Sequence, residues 1–170
     1  QEVRNKYVIK RLFPNWDSEP REVELNMEDG ELNQWQKGAM WVWEEPIVGH
    51  EYIIGVDVSE GVGEGGDYSA FQILDGLTLN QVAEFRSNCI PPNIFASLLS
   101  QIGVHYNHAL LAVENFGPGM AILDKLENEL FYDNIYHEPS KSSVRMGVPM
   151  NRTSRHLILE TMQNYMQNKL

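Results

Sequence analysis

The sequence holds one cysteine, Cys89, in 170 residues. An internal disulfide and a thiolate-rich zinc site are both excluded, so any metal must be held by oxygen or by oxygen with histidine. No apolar run approaches the roughly 18–20 residues of a membrane span, and the N-terminus lacks the basic-then-apolar order of a signal peptide. A soluble intracellular protein without a membrane partner is the expectation. No GxxxxGK[ST] phosphate loop occurs, so neither ATP hydrolysis nor a bound nucleotide is expected. Basic residues are scarce: 13 Lys and Arg stand against 24 Asp and Glu, for a net charge of −11. A protein whose whole surface grips nucleic acid is excluded, because neutralising phosphates is what drives such binding. What remains is an ordinary globular balance, 42% hydrophobic and 22% charged, enough for one core. The chain begins at Gln1 in a polar run and stops at Leu170 straight after a helical pattern. It reads as a piece of something longer.

The charge is unevenly spread. Residues 1–60 carry 13 acids and 6 bases, residues 61–138 carry 10 and 2, and residues 139–170 carry 1 and 5. Only the last segment, with Lys141, Arg145, Arg152 and Arg155, could follow a phosphate backbone locally. A solvated basic loop is the plainer reading of the same residues.

Residues 1–50 read as a lead-in, strand-like near Tyr7–Leu12 and aromatic at Trp35, Trp41 and Trp43, that packs on a domain of residues 51–170. Those tryptophans could stack on bases, but packing is the preferred reading. Tyr52 to Val58 is a nearly continuous apolar run rich in β-branched residues, which predicts a strand buried on both faces. Ser69–Leu74 and Gln81–Arg86 are two more strand-length runs joined across Asp75-Gly76, a turn signal, so the three form an antiparallel meander. Pro91 and Pro92 open a helix whose Ile94, Phe95, Leu98, Leu99, Ile102 and Tyr106 share one face. Ala109–Glu114 is a further strand, and Met120, Ile122, Leu123, Leu126 and Leu130 begin a second helix after Asn115-Phe116-Gly117-Pro118-Gly119. Asn134–His137 is a short strand. Thr153–Asn168 is a third helix, with Leu157, Ile158, Met162 and Met166 expected to face inward. The fold class is α/β, a mixed sheet with helices on it.

Two carboxylates draw attention by position. Asp57 lies near the C-terminal end of the first domain strand, and Glu114 ends the strand that follows the first helix. If those strands run parallel, the acids emerge as neighbours. An ionised carboxylate in an apolar run is unfavourable unless paired or bound to metal, and no Lys or Arg is adjacent to either in sequence. A hard divalent cation, Mg²⁺ or Mn²⁺, would relieve the repulsion. Acids that merely cap strand ends in water are the competing reading. Asp67, at the start of the second strand, could lean towards the same ion.

Three other patterns carry less. Gly61-Val62-Gly63-Glu64-Gly65-Gly66 matches GxGxxG, but a strand follows it in place of a helix, and four nearby acids would repel pyrophosphate. A hairpin tip fits better than a dinucleotide site. His105 and His108 have a metal-pair spacing without a third ligand, and read as surface residues. No internal repeat or low-complexity segment occurs.

Gly55-Val56-Asp57-Val58-Ser59-Glu60-Gly61, Gly66-Asp67-Tyr68-Ser69-Ala70 and Val113-Glu114-Asn115, in that order and after WEEPIVGHEYIIGVD, resemble the nuclease domain of the large terminase subunit of tailed bacteriophages, of the T-even-like type. The resemblance runs from roughly Trp41 to Leu170. It implies a ribonuclease H-like fold and a metal-dependent endodeoxyribonuclease that cuts concatemeric double-stranded viral DNA in the host cytoplasm. It also implies a portal protein and a packaging ATPase domain as partners. By this similarity Asp57 and Glu114 are metal ligands and Asp67 a further acid. Two ions about 3.5–4 Å apart, bridged by Asp57, would drive phosphodiester hydrolysis. The family also has an aspartate in a His-Asp-Asp type motif near the C-terminus. This sequence has none, since its one acid after the basic loop, Glu160, sits in a helical pattern. A non-catalytic module that docks in the motor and guides DNA, and another ribonuclease H-like nuclease such as a resolvase, are the alternatives.

Overall fold

The computed structural model describes residues 21–22, 40–60, 66–139 and 144–168. Tyr7–Leu12, Trp35, the glycines of 61–65, Lys141 and the side chain of Met166 lie outside them. Among the described residues the elements are, in chain order, β1 (Arg21–Glu22), β2 (Met40–Val42), β3 (Tyr52–Asp57), β4 (Ser69–Asp75), β5 (Gln81–Ser87), α1 (Pro92–His105), β6 (Leu110–Val113), α2 (Pro118–Asn128), β7 (His137–Pro139), β8 (Val144–Met146) and α3 (Arg152–Asn168). The first six strands form one sheet in the order β1-β2-β5-β4-β3-β6, and β7 and β8 form a separate hairpin.

The expected meander is present. β3 pairs antiparallel with β4, and β4 with β5, across the Asp75-Gly76 turn. β6 returns on the far side of β3 and runs parallel to it, as a strand must when a helix such as α1 carries the crossover. The lead-in joins this sheet, because β2 pairs antiparallel with β5, with Trp41 opposite Glu84. Trp41 therefore serves in a strand.

Period-two alternation puts Tyr52, Ile54 and Val56 on one face with Phe71, Ile73, Phe85, Leu111 and Val113, all buried. α1 and α2 pack together over that face. Phe95 of α1 stacks on Phe71 and Phe85, with ring centroids 6.2 and 5.6 Å away. Each such ring contributes about 2–3 kcal/mol by leaving water.

The other face departs from expectation. β3 alternates buried and exposed through all six residues, so it is not covered on both sides. Ile53, Gly55 and Asp57 face outward because both packed helices lie on the opposite face. Nor does α3 close the gap. Leu157, Ile158 and Met162, expected inward, are 62%, 41% and 53% exposed. Helical periodicity identifies an apolar stripe but not what meets it, and among the described residues this stripe meets little. Met120 of α2 is likewise exposed. Among the described residues no helix is long and apolar enough to cross a membrane.

Candidate active site

Parallel pairing of β3 with β6 sets Val56 beside Val113, so Asp57 and Glu114 follow as lateral neighbours at the same sheet end. The Glu114 amide donates to the Val56 carbonyl at 3.2 Å, which carries the strand pairing up to the acid itself. The two carboxyls lie near enough for one to act on the other. Burial first, then the hydrogen bond and negative charge of Asp57, push the Glu114 carboxyl above its ordinary range, while the charge of Arg155 pulls it down.

The backbone around Glu114 is tightly determined. Gly119, in the first turn of α2, lies so close that a Cβ there would stand 2.0 Å from the Glu114 carbonyl oxygen. Only glycine lets the helix seat against the strand end. On the other side, the Asn115 amide donates to the Val148 carbonyl at 2.8 Å, and Asn115 Nδ2 donates to the Met146 carbonyl at 2.5 Å. Gly147 between them has φ +82°, and a Cβ there would meet Leu123 at 2.6 Å. These bonds stitch the chain entering α3 to the flank of Glu114. Asn151 then caps that helix, accepting from the Thr153 and Ser154 amides at 2.9 and 3.0 Å.

Two clefts meet at Glu114 and Phe116, which line both. The first, of about 520 Å³, is bounded also by Asp57, Glu60, Asp67 and Tyr68. The second, of about 890 Å³, is bounded also by Asn151, Arg152, Arg155 and His156. Asp67 is held at the rim by Ser59, whose hydroxyl donates to the Asp67 carbonyl at 2.9 Å while its amide donates to Ser69 Oγ at 3.0 Å.

Of the residues singled out from sequence, Asp57, Glu114 and Asp67 thus share one cleft, and Arg152 and Arg155 line the adjoining one. Arg145 stands on β8 opposite Glu138, outside both linings, and Lys141 lies outside the described residues. Sequence adjacency missed the cation beside the acids. Arg155 reaches Glu114 from a helix far along the chain, through the stitching at Asn115. Phe116, Gly119, Asn151 and His156 were missed as well; the glycine-rich turn after Glu114 was the available signal for the first two. His105 and His108 pair with Glu45 and Asp133 at 3.3 and 2.5 Å on the exposed surface.

As a donor set, Asp57 and Glu114 offer hard carboxylate oxygens side by side in one cleft, a fit for Mg²⁺ or Mn²⁺. Among the described residues no group of three His, Cys, Asp or Glu side chains gathers closely enough to hold an ion, so Asp67 shares the cleft without closing a triad.

No protein-family model matches this sequence, and no curated protein does. Solved structures do match. The large terminase nuclease from thermophilic phage G20c with bound cobalt is 21% identical, with a TM-score of 0.61 over 78% of this chain and 62% of that one. The same nuclease with bound magnesium gives 20% identity and 0.57, again over 78% and 62%. The large terminase nuclease domain of Thermus phage P74-26 gives 23% and 0.58 over 78% and 60%. The chain spans about three fifths of the length of these structures. At such identities the likeness is one of fold, and the fold is ribonuclease H-like: a mixed sheet, an antiparallel meander plus a parallel strand, with helices on it.

Proposed function

We propose that this chain is the nuclease domain of a large terminase subunit, a metal-dependent endonuclease that cuts concatemeric double-stranded viral DNA within a packaging motor. The observation that supports it best is the side-by-side placement of Asp57 and Glu114 in one cleft at the end of two parallel strands, inside a fold shared with nucleases solved with metal ions bound. Asp57 and Glu114 would hold Mg²⁺ or Mn²⁺, with Asp67 a further carboxylate lining the same cleft. Such ions supply Lewis-acid charge to a scissile phosphate and lower the pKa of water. Arg152 and Arg155 supply the positive wall on which a DNA phosphate can sit beside two acids that would otherwise repel it. Carboxylates bind a metal ion in their ionised form, so the affinity of Asp57 and Glu114 for metal should fall in acid. Lys141 and Arg145 extend the basic track, and the ATPase domain and portal are the motor partners, in the host cytoplasm. Kinship with the T-even-like type rests on the three sequence motifs.

The test is plasmid cleavage in Mg²⁺ or Mn²⁺. Asp57→Ala and Glu114→Ala should each lower cutting at least 100-fold while circular dichroism shows a folded protein. Undiminished cutting by either would overturn the assignment. A second reading, a docking module that guides DNA without cutting it, is favoured by the acidity of residues 1–138, 23 acids against 8 bases. It gains if the folded wild-type chain neither cuts nor binds metal. Cutting of branched DNA or of RNA–DNA hybrids in preference to linear duplex would instead indicate a resolvase or a hybrid nuclease.

A further inference from the structure

The open face of the sheet carries a cation that neither the motifs nor the basic tail account for. Strand registers place Arg86 of β5 opposite Ala70 of β4, and Ala70 opposite Asp57 of β3, with Glu114 next along the same row. Residues directly opposite across a sheet project from the same face. Arg86, Ala70, Asp57 and Glu114 therefore form one line across the sheet, with a methyl as its floor. Arg86 and Asp57 are exposed. Two strand spacings separate them, about 10 Å, which is about three steps of axial rise along one strand of duplex DNA.

Arg86 is also held in an unusual way. It is one of 2 basic residues among 10 acids in residues 61–138, yet among the described residues it makes no ion pair. Its guanidinium lies 4.9 Å from the centroid of the Tyr68 ring. Tyr68 is 47% exposed and lines the Asp57 cleft. Stacking fixes the guanidinium plane while leaving its N–H edges free, which suits a phosphate better than a carboxylate partner would.

We propose that Arg86, stacked on Tyr68, is a second phosphate-binding subsite of the DNA strand being cut, on the side of the acid pair away from α3. Arg86 then grips a phosphate within about three nucleotides of the scissile one, and Arg152 and Arg155 grip on the other side. The strand crosses the row from β5 to α3. This rests on the nuclease reading for the word scissile, but binding alone decides it.

The experiment is fluorescence anisotropy of the full chain with a labelled 20-base-pair duplex in EDTA, over a range of NaCl. Arg86→Gln should weaken binding about five-fold and lower the slope of log affinity against log salt by about 0.9, one phosphate contact. Arg86→Lys should keep the slope but lose part of the affinity, because it keeps charge without the flat stack. Tyr68→Leu should resemble Arg86→Lys. An unchanged affinity and slope in Arg86→Gln, with its melting temperature unchanged, would overturn the proposal. Cleavage by Asp57→Ala, measured separately, reports on the nuclease reading alone: a dead Asp57→Ala beside a silent Arg86→Gln leaves that reading and removes this subsite.

Discussion

An acid of a neighbouring strand lies beside each end of β3, and the surroundings treat the two in opposite ways. At the start of the strand, Asp75 sits opposite Tyr52 and is fully buried. It accepts hydrogen bonds from His50 Nδ1 at 2.6 Å, from the Leu77 amide at 2.8 Å and from the Thr78 amide at 3.1 Å. Burial pushes its carboxyl up, but the His50 bond and the two amides outweigh this and hold it below its ordinary 3.8. At the other end, Glu114 is half-buried, and burial first, then the hydrogen bond and charge of Asp57, push its carboxyl above its ordinary 4.5, with no donors among the described residues to offset them as at Asp75. The more buried acid is thus the more contented one. Burial alone does not mark a functional carboxylate; a lack of donors around it does.

That contrast can be broken at either end. Asp75→Ala should lower stability by about 3 kcal/mol, since it takes the shared acceptor from His50 and two turn amides at once. Urea unfolding checks this, and a loss under about 1 kcal/mol would show that the network is dispensable. A subtler experiment uses acid. Asp75, with its lowered value, contributes stability that is full above 3.8 and lost as pH falls through that lowered value. The wild-type unfolding free energy should therefore drop on acidification below 3.8, and Asp75→Asn should flatten that limb. Glu114, with its raised value, has the reverse sign in metal-free protein: its contribution is full below 4.5 and lost as pH rises through the raised value. Glu114→Gln should consequently stabilise the metal-free protein at neutral pH by about 0.5–1 kcal/mol. A destabilised Glu114→Gln would place Glu114 with Asp75, as a structural acid.

Much of this was legible in the chain. The β-branched run of Tyr52–Val56 announced a strand, Asp75-Gly76 a hairpin, and the double proline a helix start. From these the parallel pairing of β3 and β6, and with it the meeting of Asp57 and Glu114, followed by topology. What stayed hidden depends on contacts between distant segments. His50 lies 25 residues from Asp75, so the Asp-Gly turn signal gave no hint that its aspartate was a buried anchor. β2 is three residues long, too short for alternation to show. The openness of one sheet face could not be read either, because a continuous apolar run such as Tyr52–Val58 looks the same whether or not a second layer covers it. Arg155 came into the site through the Asn115 stitching, which no local pattern encodes.

The decisive measurement is calorimetric titration of the full chain with Mn²⁺ at neutral pH, for the wild type and for Asp57→Ala. The wild type should show saturable binding, and Asp57→Ala should show none while remaining folded. Equal binding by both proteins, or none by the wild type at millimolar Mn²⁺, would mean that the facing acids are not a metal site.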